Sequence, residues 1–532
     1  MPDARSRFGW HPEPALFDLA DAETARPALE RFGHETWAAA LDYLYDEALV
    51  RAMGQPAGYG ELRERFFGPT RAPAPAPTDP TTSDRLLAEF RDRLAPHMLN
   101  AWHPRAFSYF TPTPLVASIA GEVLSQWANQ GVDVWHAGPV AAFVEEEVVR
   151  WLCDLVGYDD ASFGLLTSGG VMANFLAMAL VRDVHVRRLR GLDGPPRGRA
   201  LENVRVYTSD QTHFSVARAL DELGFPPDTL VVLPADNEFR LPADAVGDAV
   251  RMYRSSGRTP AAIAAVAGST NTGSVDDVAS LADLARREDL WLHVDAAYGA
   301  AARLSSKLRG RVEALEQADS VTVDPHKWFF QAYDIGGLVV RDGRLLRATF
   351  DRSPEYYRGG EAAGAPAGEH GPADEDAPAD EAQLNFYKLG FEGTRRWRAL
   401  KLWLSWKHVG SSGFARLVEG NVELAERLAL RCRESDDFEA VPEVPPLSVV
   451  CFRHLPGGRE RALELSPADL DAHQDRLAAA LEASGDGWLS TTRLRGATYL
   501  RAGIVNYVAT TTDADILLDR LRSLAAELAA PV

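Results

Sequence analysis

A chain of 532 residues is long enough for two to four domains and a large buried core. Its 46% hydrophobic and 25% charged residues are the proportions of an ordinary globular protein. With 56 Lys plus Arg against 76 Asp plus Glu, the formal net charge is −20, a field that repels nucleic acid and anionic membrane surfaces. The opening "MPDARSRFGWHPEP" lacks the apolar core of a signal peptide, and no apolar run reaches the roughly 18 residues of a spanning helix. Cys153, Cys432 and Cys451 have no metal-ligand spacing, which suits a reducing cytoplasm and a protein without a metal centre.

Taken in chain order, residues 1 to about 68 carry helical spacing, as in Ala38, Leu41, Leu44 and Ala48. The proline-rich "PTRAPAPAPTDP" (69–80) predicts an extended linker. From about 85 to 345 short apolar runs alternate with amphipathic ones. The strand candidates are "VRVYTS" (204–209), "TLVVLP" (229–234), "AAIAAVAG" (261–268), "LWLHVD" (290–295), "SVTVD" (320–324) and "GLVVR" (337–341). Such alternation predicts an α/β domain with a mostly parallel sheet. Residues 359–382 hold seven acids, no Lys or Arg and almost no large apolar side chain. A stretch of that kind cannot offset its ordering entropy by burial, so it is expected to be a mobile loop. A long helix around "RRWRALKLWLSWKHVG" follows, then a smaller unit with strands at 446–454 and 497–505 and helices starting at Ser466-Pro467 and near Thr512.

Four loops after strands carry polar residues where a parallel sheet would present a ligand. In "LLTSGGVMANFLAM" (165–178), Gly169 and Gly170 lead into a helical run, an arrangement that lets backbone N–H groups meet a phosphate at a helix N-terminus. His213 heads a helix in "DQTHFSVARAL", and Thr270 lies in the polar loop "GSTNTGSVDD". Asp295 ends an apolar strand in "HVDAAYGAA", where a carboxylate is costly unless a cation or donor meets it. Last, "SVTVDPHKWFF" (320–330) sets His326 and Lys327 between a strand and three aromatic residues. A lysine held among rings has its charged form disfavoured and is the better nucleophile. An amine nucleophile, an acid for a ring nitrogen, a histidine for a ring face and a phosphate cradle together point to pyridoxal 5′-phosphate (PLP).

The motifs "TSGGVMAN", "SDQTHFSVARA", "GSTNTGSVDD", "WLHVDAAYGAA" and "DPHKW" resemble the series found in the group II PLP-dependent amino-acid decarboxylases, which include aromatic amino-acid, glutamate and cysteine-sulfinate decarboxylases. The resemblance runs from about residue 85 to 525. It implies fold type I, with a helical N-terminal segment and linker (1–95), a PLP-binding large domain (96–400) with a mobile acidic loop at about 355–385, and a small C-terminal α+β domain (401–532). It also implies a homodimer with active sites at the subunit interface. By the same resemblance Lys327 is the Schiff-base lysine and Asp295 the ring-nitrogen partner. His213 stacks on one ring face and Ala297 packs on the other; the backbone of Gly169, Gly170 and Val171 holds phosphate; Thr270 sits near the ring substituents, and His326 assists binding and proton transfer.

The family associates a loop tyrosine with protonation of the substrate carbon. Counting back from Arg395 and Arg396 places Phe386 at that position, with Tyr387 beside it. A phenylalanine there is linked in relatives to oxidative decarboxylation and deamination, which yields an aldehyde; Tyr387 would preserve simple decarboxylation to an amine, the reading adopted. An aminotransferase and a catalytically retired PLP-binding protein are less consistent with the "DPHK" context and the full set of cofactor residues. Tyr109, Phe110 and Thr111 in "SYFTPTP" are expected at the substrate side chain, favouring an aromatic or apolar amino acid. Arg501 is either a carboxylate contact or a structural arginine.

Overall fold

The computed structural model describes residues 8–53, 57–352 and 384–529; the acidic stretch 359–382 lies outside the described residues. Seven strands form the large sheet: β1 (Phe163–Thr167), β2 (Val204–Ser209), β3 (Leu230–Leu233), β4 (Thr259–Val266), β5 (Trp291–Asp295), β6 (Ser320–Val323) and β7 (Gly336–Val340). Their order is β1-β7-β6-β5-β4-β2-β3. Only β7 pairs antiparallel, with β1 on one side and β6 on the other, so the remaining six strands share one direction. β4 is buried from Pro260 to Val266 and rich in alanine, as expected of a central strand covered on both faces.

Side chains alternate across a strand, and on β5 and β6 the two faces differ in kind. Leu292, Val294, Val321 and Val323 join one apolar core. The opposite face carries Trp291, His293 and Asp295 on β5, with Ser320 and Thr322 opposite His293 and Asp295 on β6. Towards that face lies a second core built on the helix Gly170–Leu180.

The predicted small unit is a four-stranded antiparallel sheet, ordered β10-β11-β9-β8, of β8 (Phe438–Val441), β9 (Val449–His454), β10 (Ser490–Leu494) and β11 (Ala497–Gly503). Helices Pro467–Ser484 and Thr511–Ala529 pack with it; Ser466 caps the first, its hydroxyl accepting from the Asp469 amide at 3.2 Å. The helical stretch Ala399–Arg433 links the two sheets and is broken at Gly410, whose φ of 66° is left-handed. The N-terminal part contributes helices Ala22–Tyr43 and Tyr59–Phe67. Among the described residues no helix is long and apolar enough to cross a membrane.

Candidate active site

The loops that leave β1, β2, β4, β5 and β6 meet at one edge of the large sheet, where a parallel sheet presents ligands. They enclose a cavity of about 400 Å³ lined by Gly169, Gly170, Val171, His213, Thr270, Asp295, Ala297, His326 and Lys327, among others. Every cofactor-binding residue expected from the sequence is therefore at this cavity. Tyr109, Phe110, Thr111, Phe386 and Tyr387 do not line it.

Asp295 stands at the end of β5. Its Oδ2 accepts from Asn174 Nδ2 at 2.8 Å and its Oδ1 from the Ala297 amide at 3.2 Å, so the buried carboxylate is met by two donors. His213 lies across the cavity, its Nδ1 2.8 Å from Ser215 Oγ. Burial holds its imidazole below the ordinary histidine range, with Asp295 opposing and Lys327 reinforcing that shift.

The "DPHKW" turn resolves into two directions. Trp328, Phe329 and Phe330 point into the apolar core, while Asp324, His326 and Lys327 face the cavity. Lys327 Nζ lies 3.2 Å from Asp324 Oδ2 and 5.9 Å from the centre of the Phe110 ring. Its nearest environment is thus a carboxylate, in place of the ring of aromatics the sequence predicts, because the chain turns over immediately after the lysine. His326 Nδ1 accepts the Ile335 amide at 3.1 Å, which leaves the proton on Nε2; burial lowers its pKa.

Asp324 is 1% exposed, and its Oδ2 takes the Gly170 N–H at 2.9 Å. That amide, expected for phosphate, is thus already engaged at the head of the helix Gly170–Leu180. The other oxygen, Oδ1, is buried without a hydrogen-bond partner. Gly169 takes φ 153°, and a Cβ there would come 3.0 Å from His326 Cε1, so the backbone passes close under the imidazole as a cradle requires. A lysine amine, a buried carboxylate, a histidine face and this glycine turn in one cavity fit pyridoxal phosphate.

The expected substrate segment sits beside the cavity. Phe110 is buried and stacks on Tyr298 at 4.3 Å between centroids, and Tyr298 stacks on Trp328 at 4.7 Å. Tyr109 is exposed, edge-on to Trp488 at 5.3 Å. The segment reaches the cavity through Tyr333, whose hydroxyl donates to the Phe110 carbonyl at 3.3 Å and lies 3.4 Å from Thr111 Oγ1. Tyr333 is 55% exposed, lines the cavity and packs on the His326 ring at 4.9 Å.

Phe386 and Tyr387 open the short helix Phe386–Lys388. Phe386 is fully buried, 6.2 Å from the Phe163 ring and under the Arg395 guanidinium at 4.8 Å. Tyr387 is also buried, its amide bonded to the Asp133 carbonyl at 3.2 Å. The apolar character of "LNFYKL" places it in the core. Sequence reasoning passed over Asn174, Ser215, Asp324 and Tyr333. Asn174 and Asp324 lie inside quoted motifs, but the contacts that single them out cross 121 and 154 residues.

Fold and cavity define a PLP-dependent enzyme built on an α/β sheet. Residues 69–455 match the family described as pyridoxal-dependent decarboxylase conserved domain, and the chain belongs to this family of PLP-dependent amino-acid decarboxylases. An aromatic-L-amino-acid decarboxylase of Bacillus atrophaeus is 33% identical over 428 residues, 80% of this chain and 82% of that protein. An L-2,4-diaminobutyrate decarboxylase of Rhizobium meliloti (strain 1021) is 31% identical over 456 residues, 85% and 84% of the two chains. A phenylacetaldehyde synthase of Arabidopsis thaliana is 28% identical over 435 residues, 81% and 84% of the two chains. In fold, the crystal structure of Oryza sativa TDC with PLP and tryptamine is similar with a TM-score of 0.82, at 24% identity, covering 94% of this chain and 98% of that one.

Proposed function

We propose that the chain removes the α-carboxylate of an aromatic or apolar L-amino acid as CO₂ and releases the amine. The observation that carries this reading is the meeting of Lys327, Asp295 and His213 in one cavity with a glycine turn. The 33% identity to an aromatic-L-amino-acid decarboxylase supports the substrate class. When bound, pyridoxal phosphate supplies a sink for the electrons left behind as CO₂ departs. Lys327 would hold the cofactor covalently and yield to the substrate amine. Asp295, whose two oxygens each meet a donor, would hold a proton on the ring nitrogen. His213 and Ala297 would bound the ring faces, and Thr270 its edge. Gly169 and Val171, with His326, would face the phosphate.

Phe386 and Tyr387, buried in their own subunit, receive no support from their position as the proton donor. Groups that line the cavity and can carry a transferable proton include the Lys327 amine, His326, His213 and the Tyr333 hydroxyl. A second reading, oxidative conversion to an aldehyde, draws on the phenylalanine at 386 and on the phenylacetaldehyde synthase relative. Arg501 is buried, makes no ion pair among the described residues, and has Nη2 without a partner. Its Nε is anchored on the Thr270 carbonyl at 2.7 Å, which supports a carboxylate-receiving role. A homodimer is supported by exposed Val116, Val123, Leu124 and Trp127 on the helix Val116–Ala128. Val123 and Trp127 line an apolar cavity of about 780 Å³ shared with Phe32 and Trp37, a surface that a monomer would leave wet.

Turnover of an amino-acid panel, with CO₂, amine, aldehyde and H₂O₂ all measured, tests the reading. Amine and CO₂ in equal amounts from aromatic substrates are expected. Aldehyde with stoichiometric H₂O₂ would select the second reading, and preference for a diaminobutyrate-type substrate would overturn the substrate class.

A further inference from the structure

Asn174 sits one turn into the helix Gly170–Leu180, facing the polar side of β5 and β6. It is 1% exposed, and its side-chain amide has all four hydrogen-bonding positions filled. Nδ2 donates to Asp295 Oδ2 and to Ser215 Oγ, each at 2.8 Å. Oδ1 lies 2.6 Å from Thr322 Oγ1 and 3.0 Å from His293 Nε2. Such complete satisfaction makes the side chain rigid, since any rotation would strand several buried polar groups.

The direction of every bond in this network follows from its ends. A carboxylate can only accept, so the Asn174 atom facing Asp295 is the nitrogen. The oxygen therefore faces His293, whose Nε2 must carry the proton and whose Nδ1, 2.9 Å from Ser320 Oγ, must accept. The Trp291 indole, a donor only, fills the Ser320 oxygen from the other side at 3.0 Å. Full burial holds His293 far below the ordinary histidine range, at about 4, which agrees with a neutral ring in this role. On the other branch Ser215 Oγ accepts from Asn174, so its hydroxyl proton is directed to His213 Nδ1. The Ser215 amide approaches the same nitrogen at 3.3 Å. The proton of a neutral His213 is then on Nε2.

We infer that Asn174 is a positioning residue that ties the acid for the cofactor's ring nitrogen to the histidine of its ring face, fixing the carboxylate's orientation and the histidine's tautomer through one amide. This rests on the roles proposed for Asp295 and His213. The polar face of β5 and β6 serves the arrangement. Ser320, His293 and Thr322 hold the Asn174 oxygen so that its nitrogen can serve two groups at once.

The test uses the full chain stripped of cofactor and then titrated with PLP, following the visible absorbance of the lysine-linked form, together with ¹⁵N chemical shifts of His213 in the apoenzyme. Asn174→Asp keeps shape and the acceptor to Thr322 and His293 but puts an oxygen against Asp295. It should weaken PLP binding by roughly 10- to 100-fold, the scale of losing an orienting hydrogen bond to a charged group. Ser215→Ala, which leaves the Asn174–Asp295 bond in place, should change PLP affinity by no more than about threefold, because the bond it removes is between neutral groups and the carboxylate keeps its donor. It should also move the His213 Nδ1 shift, and adding it to Asn174→Asp should move that shift no further. PLP affinity of Asn174→Asp within threefold of the unaltered protein (~0.6 kcal/mol or less) would overturn the inference. So would His213 shifts untouched by Ser215→Ala, which keeps the test alive if the Asn174 variant does not fold. Lys327→Ala serves as the control: if it retains the visible band, the underlying reading of the site fails, whereas a lost band with normal Asn174→Asp binding fails the inference alone.

Discussion

Replacing Asp295 by asparagine changes one oxygen to an NH₂ and removes one charge, and the structure sets what that costs. Both donors on Asp295, Asn174 Nδ2 at 2.8 Å and the Ala297 amide at 3.2 Å, need an acceptor. An amide offers one oxygen, so one of the two must face another donor. That mismatch is present with or without the cofactor and lowers stability; what PLP binding loses is the charge-assisted hydrogen bond to the ring nitrogen, about 1.5–3 kcal/mol, or roughly 10- to 100-fold in affinity. Turnover should suffer more, by orders of magnitude, because the charge that keeps the ring nitrogen protonated is gone along with the contact. The assay is a PLP titration of the apoenzyme followed by single-turnover CO₂ release at saturating cofactor. A variant with both affinity and turnover within threefold of the original would show that Asp295 does not face the ring nitrogen.

Lys327→Ala should abolish the borohydride-reducible adduct and most turnover; a mass shift after reduction on any other lysine would refute the assignment. Phe386→Tyr adds a hydroxyl against Phe163 and Arg395 in a fully buried site, so it should cost about 1–3 kcal/mol of stability and leave the amine-to-aldehyde ratio alone. A switch of product in that variant would bring residue 386 within reach of the substrate and reverse the assignment made from its burial. Between β9 and the helix Pro467–Ser484, His454 Nδ1 and His473 Nε2 lie 2.9 Å apart, and burial depresses both, His454 to about 4. Both rings are neutral in the folded protein, while the unfolded chain takes up protons near pH 6.5. The stability they contribute is complete above about pH 6.5 and is lost as pH falls towards 4. Denaturant unfolding between pH 7 and 5 should show this slope, and His454→Gln should flatten it by up to about 1.4 kcal/mol per pH unit; an unchanged slope would mean the pair is already charged.

The sequence carried the sheet well because strand signals are local. β2 matches its predicted span residue for residue, and β5 and β6 differ from theirs by one residue. β1, β8 and β10 are absent from the strand candidates: Ser490–Leu494 alternates half-buried and exposed residues up to Leu494 without a continuous apolar run, Phe438–Val441 is only four residues long, and Phe163–Thr167 runs straight into the glycine turn. The residues proposed for the cofactor were legible for a different reason. Aspartate, histidine and lysine at the ends of apolar strands are costly there unless a ligand or partner meets them, and Asp295 and Lys327 stand out on that ground alone.

The sequence hid partnership. Lys327 among aromatic neighbours read as a caged amine, yet a turn after residue 327 sends Trp328 to Phe330 one way and the amine towards Asp324. Phe386 and Tyr387 read as loop residues because an acidic stretch precedes them, yet both are buried, Phe386 against Arg395, itself paired with Glu145, and Tyr387 tied by its amide to the Asp133 carbonyl. Asn174 closes the motif "TSGGVMAN", which by itself gives the residue no role. Its significance arises only when the helix crosses the polar face of β5 and β6, bringing Ser215, His293, Asp295 and Thr322 from four separate segments to one amide. The alternation Val321, Val323 announced a buried strand from its apolar side. Ser320 and Thr322, which alternate with those valines, are fully buried as well, and buried hydroxyls require partners. That requirement was the one signal in the sequence that a polar network lay beneath the site.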